Sequence, residues 1–208
     1  MNRPLAFVCA LVFALAAVSS ACIAQPSDWI RFSLERDRGD SPRIHASFHG
    51  NEVGREHDNW STGFMPSDLV GLEMSAFHGA GSRPIHFAVM REAGRLDCSG
   101  SGGNSFATGN CRFTENPSFV RLLVRSGIGQ PTREQALGLM AVNARRDVID
   151  ALAAAHYPTT NVDNLMALSA LGVDGRYISD LARSKYRPQS IQKLVEFKAL
   201  GITPEWIA

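Results

Sequence analysis

The stretch LMALSALGVDGRYI, residues 165–178, is followed 29 residues later by LVEFKALGITPEWI, residues 194–207, with Gly172 falling on Gly201. Self-similarity at a fixed period of about 20 to 50 residues marks stacked supersecondary units. Each unit reads as two short helices. The first runs from about residue 163 to 171 and is stopped by Gly172, which takes a left-handed conformation without a side-chain penalty. The second is capped by Asp174 and continues through Tyr177, Ile178 and Leu181. In the final copy Thr203 is the expected cap, Pro204 takes the first helical position and Glu205 complements the helix dipole. A fainter copy lies upstream at the same offset, residues 136–149 corresponding to 165–178 and Tyr157 to Tyr186. Ala208 follows before a second helix is complete, so Trp206 and Ile207 are expected either to fold back on the preceding unit or to dock on a partner or a second copy.

Upstream of residues 127–131 the texture is different. Ile30, Phe32 and Leu34 alternate with Arg31, Ser33 and Glu35; Ile44, Ala46 and Phe48 alternate with His45, Ser47 and His49; Ile85, Phe87 and Val89 alternate with His86 and Ala88. Period two is the mark of half-buried strands. Leu96 with Cys98, and Cys111 with Phe113, extend the pattern on both sides of SGSGGNSFATGN, residues 99–110, which reads as a loop or a sharply turning ribbon. Its glycines suggest a phosphate cradle, but no Lys followed by Ser or Thr completes that motif and no helix starts there. Asn116 before Pro117 is a helix start. Phe119, Val120, Leu123 and Val124 offer a packing face, and Gly127 is the stop. The expected fold class is therefore α+β: a small, mostly antiparallel β domain over residues 25–130 that ends in a helix, then α-helical repeats of period 29 over residues 131–208.

The chain has 208 residues, 45% hydrophobic and 20% charged, with 21 basic and 20 acidic side chains. Such a balance removes the usual electrostatic case for nucleic acid, and the ordinary charged fraction argues against a disordered chain. Arginines are scattered, 11 basic against 12 acidic groups over residues 25–130 and nine against eight over 131–208. That describes a solvated surface and no phosphate groove.

At the N-terminus, Arg3, an apolar run from Leu5 to Val18 and small residues up to Ala24 form the three parts of a secretory signal peptide, residues 1–24. The run is short for a bilayer span, and no later stretch is apolar enough to form one. Cleavage after Ala24 leaves Gln25 first; cleavage after Ala21 leaves Cys22 free for lipidation, although Ser19 stands where a lipoprotein signal carries a Leu-like residue. The mature protein is expected to be periplasmic or secreted. It keeps two cysteines, Cys98 and Cys111, and a lone pair in an oxidising compartment reads as a disulfide. Zinc would need more ligands than these two provide.

Catalytic and metal motifs are thin, and no catalytic, metal-ligating or cofactor-binding residue is assigned. His45, His49 and His57 crowd one region with Glu52, Glu56 and Asp58. His45 and His49 share a strand face, but they would stand about 13 Å apart along a straight strand, too far for one ion. Ser105 in GNSFA only half fits a nucleophile elbow. Partner contact is expected instead from Tyr157, Tyr177, Tyr186 and Trp206, since aromatics supply large contact area at low entropy cost. Tyr157 and Tyr186 recur at the repeat period, which also suits core packing between units.

The stretches HFAVMREAGRLDCSGSG (residues 86–102) and GNCRFTENPSFVRLLVRSG (109–127), followed by helical units of the form LxALxALGV and LVxFKALGITPEWI, resemble the extracytoplasmic tail of membrane metallopeptidase regulators of the β-lactam-sensor type. The resemblance spans about residues 85–207 and rests on short motifs: a strand ending in Arg and Ala-Gly, a Gly-rich turn, an Asn-Pro helix and repeats of the Gly-Val-Thr-Pro-Glu kind. Cys111 and Arg112 stand where that family often has another aromatic. The resemblance implies an accessory or sensing region; the His-Glu-x-x-His zinc motif of the peptidase is absent. The expected function is a non-catalytic cell-envelope module that binds an envelope protein, or itself, through its helical repeats. The alternative is a small periplasmic hydrolase or metal-dependent enzyme with its site in the β domain.

Overall fold

The computed structural model describes residues 29–36, 41–50, 59–158 and 160–207. The signal-peptide segment with Cys22, and His57 with Glu52, Glu56 and Asp58, lie outside the described residues. The fold is α+β. Six strands, β1 (Trp29–Arg36), β2 (Ile44–His49), β3 (Trp60–Phe64), β4 (Arg83–Arg91), β5 (Gly94–Gly103) and β6 (Phe106–Glu115), form one sheet in the order β3-β2-β1-β6-β5-β4. Every pairing is antiparallel. Two three-stranded meanders are thus joined through β1 and β6. Val70 adds a single antiparallel bridge to Ala88 at the outer edge of β4.

The alternation read in the sequence is the alternation of burial. Ile30, Phe32 and Leu34 of β1, Ile44, Ala46 and Phe48 of β2, and Ile85, Phe87 and Val89 of β4 all point into the core. The glycine-rich segment 99–110 is ribbon throughout, since β5 and β6 pair up to Gly103 and Phe106 and leave Asn104 and Ser105 as the turn. Both have positive φ, 54° and 62°, as a tight two-residue hairpin turn requires. Within the ribbon Gly100 faces Gly109. A Cβ on Gly100 would stand 2.1 Å from the Thr108 carbonyl oxygen, and one on Gly109 would stand 2.8 Å from the Phe32 ring. The bare backbone there lets Phe32 of β1 and Phe87 of β4 meet edge to face, centroids 5.0 Å apart, across the two strands that separate them. Cys98 and Cys111 stand opposite each other in the same ribbon and are bonded.

Seven α-helices occur among the described residues: α1 (Met74–His78), α2 (Pro117–Arg125), α3 (Arg133–Ala141), α4 (Arg146–Ala154), α5 (Val162–Ala170), α6 (Gly175–Arg183) and α7 (Ile191–Ala199). None is long and apolar enough to cross a membrane. Asn116 caps α2 by accepting the Ser118 amide, and Asp174 caps α6 by accepting the Tyr177 amide. Gly127 follows α2 with φ of 72°, and the Ile128 amide reaches back to the Leu123 carbonyl in a Schellman closure. Asn143 and His156 take the same left-handed place after α3 and α4. On α2 the buried face is Phe119, Leu122 and Leu123, while Val124 is exposed. The face is therefore rotated from the one expected, because α2 turns Leu122 rather than Val124 toward the core. Residues 204–206 form only a single 3-10 turn, and the Thr203 side chain makes no capping bond to it.

The sheet and helices share one continuous apolar core, and the turn after β4 is a main contact between them. Arg91 donates from one guanidinium nitrogen to the Met140 and Ala141 carbonyls at the end of α3, at 2.7 and 2.6 Å. Its guanidinium also lies over the Phe64 ring. Burial pushes the Arg91 pKa down, with Asp68 opposing. Glu92 accepts the Arg146 amide at the start of α4, 2.8 Å, where Arg145 supplies no side-chain cap. The Glu92 and Ala93 carbonyls accept the side chain and backbone N–H of Asn116.

Two stability results follow. Arg91→Ala removes charged bonds to two carbonyls at a helix end, of which Met140 keeps the Asn143 amide, and should lower the unfolding free energy by about 2 kcal/mol in a denaturant titration. Reducing Cys98–Cys111, which closes a separation of 13 residues, should cost about 3 kcal/mol, seen as a lower unfolding midpoint with unchanged far-ultraviolet circular dichroism in native buffer.

Candidate functional site

The four aromatics expected to make contact divide into two pairs. Tyr157 and Tyr177 are core residues, 8% and 7% exposed. The Arg187 guanidinium lies over the Tyr157 ring, and burial raises that phenol's pKa with Arg187 opposing. Tyr177 donates its hydroxyl to the Ile202 carbonyl at 2.8 Å and carries the Lys198 ammonium over its ring at 4.6 Å; burial raises its pKa too. Both rings are therefore packing between helices, a correction to their assignment as partner contacts. Tyr186 and Trp206, by contrast, stand in solvent, 66% and 78% exposed. Recurrence at one period does not give Tyr157 and Tyr186 the same surroundings.

The last described residues are folded back on the helices. The Ile202 amide donates to the Phe197 carbonyl, Tyr177 holds the Ile202 carbonyl, and Ile207 packs against the core. Trp206, one residue earlier, remains outside. Between it and Tyr186 lies a groove of about 380 Å³ whose floor is Phe197, Ile202 and Ile207. Leu200, 76% exposed, follows Phe197 at the end of α7. Phe197 and Leu200 were not singled out from the sequence, although their spacing of three places them on one side of a helix.

Two further places in the β region carry polar chemistry. On the outer sheet face a shallow trough of about 470 Å³ is lined by Trp29, His86, Arg95, Asp97, Ser99 and Arg112. Its charges answer one another: Arg95 holds Asp97 at 2.6 Å, and Arg112 stacks on Trp29 at 5.0 Å. At the ribbon tip Ser105 Oγ lies 2.7 Å from His78 Nδ1. A nucleophile and a base stand together there, which the sequence did not show because 27 residues separate them. The Asn104 and Ser105 amides, however, donate to the Gly79 and Phe77 carbonyls, so the turn has neither of them to offer an oxyanion. The pair ties the ribbon tip to the end of α1.

His45 and His49 project from β2 on the solvent side; His45 meets Ser47 at 3.5 Å and His49 meets Asn59 at 3.1 Å. Among the described residues no three His, Cys, Asp or Glu side chains are grouped to hold a metal ion.

No family model, curated protein or solved structure matches the chain.

The tie at the ribbon tip can be tested directly. With a fluorophosphonate probe Ser105 should remain unlabelled, and His78→Ala should lower stability by about 1 kcal/mol, the net worth of one exposed hydrogen bond. Stoichiometric labelling lost in His78→Ala would instead make the pair a reactive dyad.

Proposed function

We propose that the protein is a non-catalytic interaction or sensing module of the cell envelope, periplasmic or secreted, that binds a protein partner through stacked helical repeats. The observation that carries this reading is the exposed apolar groove between Tyr186 and Trp206. Exposed apolar patches of this kind mark interaction sites, since leaving them in water gains nothing for the fold.

The repeat reading is supported by the spacing of the helices. α3, α5 and α7 start at Arg133, Val162 and Ile191, and α2, α4 and α6 at Pro117, Arg146 and Gly175, so each set advances by 29 residues. By that spacing α2 is the first member of the second set, although it follows the sheet directly. The caps Thr132, Asn161 and Ser190 each accept an amide in the first turn of their helix. Stacked units of this type present a continuous face for extended partners. The bonded cysteines are compatible with an extracytoplasmic protein, as is the resemblance to β-lactam-sensor tails.

Crosslinked capture from an envelope extract tests the reading. The mature chain should enrich one protein, and a Tyr186→Ser/Trp206→Ser variant with unchanged thermal midpoint should lose it by about tenfold or more. Equal recovery by both baits would end the proposal.

A further inference from the structure

The groove has a sign as well as a shape, and we propose that its occupant is an acidic amphipathic helix, a partner segment with aliphatic anchors one turn apart flanked by Asp or Glu. The inference rests on the preceding reading of the groove as a partner site and names the chemistry of that partner. Over residues 175–208 six basic side chains, Arg176, Arg183, Lys185, Arg187, Lys193 and Lys198, face three acidic ones, Asp180, Glu196 and Glu205; the rest of the chain holds 15 basic against 17 acidic. A near-neutral protein thus carries its surplus of positive charge, and all three of its lysines, in the segment that also supplies every residue lining the groove.

The placement is local as well as regional. Lys193 stands one helical turn before Phe197, and Leu200 follows at the next turn, so a cation, an aromatic floor and an aliphatic edge run down one side of α7. Lys185 directly precedes Tyr186, is exposed, and has no ion-pair partner among the described residues. Two of the three acids of the region are paired with bases, Asp180 with Arg176 and Arg183 and Glu196 with Lys193, while Glu205, beside Trp206, is hydrogen-bonded by the Thr203 side chain. Exposed pairs of that kind contribute little and exchange readily for an incoming carboxylate.

The form of the groove selects among occupants. Aromatic walls over a floor of one aromatic and two aliphatic side chains suit the side chains of an inserted helix, read as anchors at i, i+3 or i+4, whereas a bilayer surface suits a protruding apolar face. A second copy docking groove to groove would bring the same positive surplus against itself.

Fluorescence anisotropy with two labelled peptides of about four helical turns each decides the matter. One carries Leu along a single face flanked by Glu; the other has Lys in place of every Glu. The mature chain should bind the acidic peptide at least about tenfold more tightly than the basic one, and the difference should shrink as salt rises from about 0.05 to 0.5 M. Trp206→Ser should abolish binding of the acidic peptide, and Lys185→Glu/Lys193→Glu should reverse the preference. Equal binding of both peptides, or binding of neither, overturns the charge inference and leaves the partner reading to the crosslinking experiment. Binding to phosphatidylglycerol vesicles that is lost in Trp206→Ser, or a concentration-dependent dimer lost in the same variant, overturns it as well and assigns the groove to a membrane or to self-association.

Discussion

Arg91 and the two residues after it bind the sheet to the helices by supplying what helix ends lack. An α-helix leaves its last carbonyls and first amides without internal partners. Here a β turn fills those vacancies from outside: the Arg91 guanidinium at the end of α3, the Glu92 carboxylate at the start of α4, and the Glu92 and Ala93 carbonyls at the Asn116 cap of α2. The Arg91 and Glu92 side-chain bonds are charge-assisted, and those of Arg91 are partly buried, where such bonds are worth more than in water. The cost is desolvation of Arg91, visible in its lowered pKa, and it is offset by two carbonyls and the face of Phe64.

From that anchor the rest of the helical region is placed by similar contacts. Asp147, in the first turn of α4, accepts the Gly175 amide that opens α6. Gly175 is the residue that allows it, because a Cβ there would lie 2.6 Å from the Asp147 carbonyl oxygen. Gln135 of α3 donates to Asp163 of α5 in parallel. Tyr177 of α6 then holds the Ile202 carbonyl and with it the segment carrying Trp206. The groove is thus positioned by a relay that begins on the sheet, and the sheet's role in the proposed function is to fix where the helix stack begins.

The strands β1, β2 and β4 were legible because each buries one face, so burial and sequence alternate together. The ribbon tip was harder: glycines lower strand propensity, and only the close approach of Gly100 to Gly109 explains why they belong to strands. β3 and α1 carried no period to read, at five residues each. Arg91 was indistinguishable from the other scattered arginines, since a cap supplied from 49 residues away leaves no local pattern. At the candidate site, aromatic identity marked four positions but could not separate buried rings from exposed ones. What separates them is whether another element reaches over the ring, which depends on packing.

That distinction explains why the groove sits where it does. Tyr157 is covered by Arg187, from the connection between α6 and α7, and Tyr177 by Lys198 and the Ile202 carbonyl, again from downstream. Tyr186 and Trp206 have Phe197, Ile202 and Ile207 beneath them and no described cation above them. Tyr186 and Trp206 are therefore open where Tyr157 and Tyr177 are closed. A partner helix laid there would stand to Tyr186 and Trp206 as the downstream segments stand to Tyr157 and Tyr177. Recognition at the groove would then extend the fold's own mode of packing by one further element, with charge on that element deciding which helix is accepted.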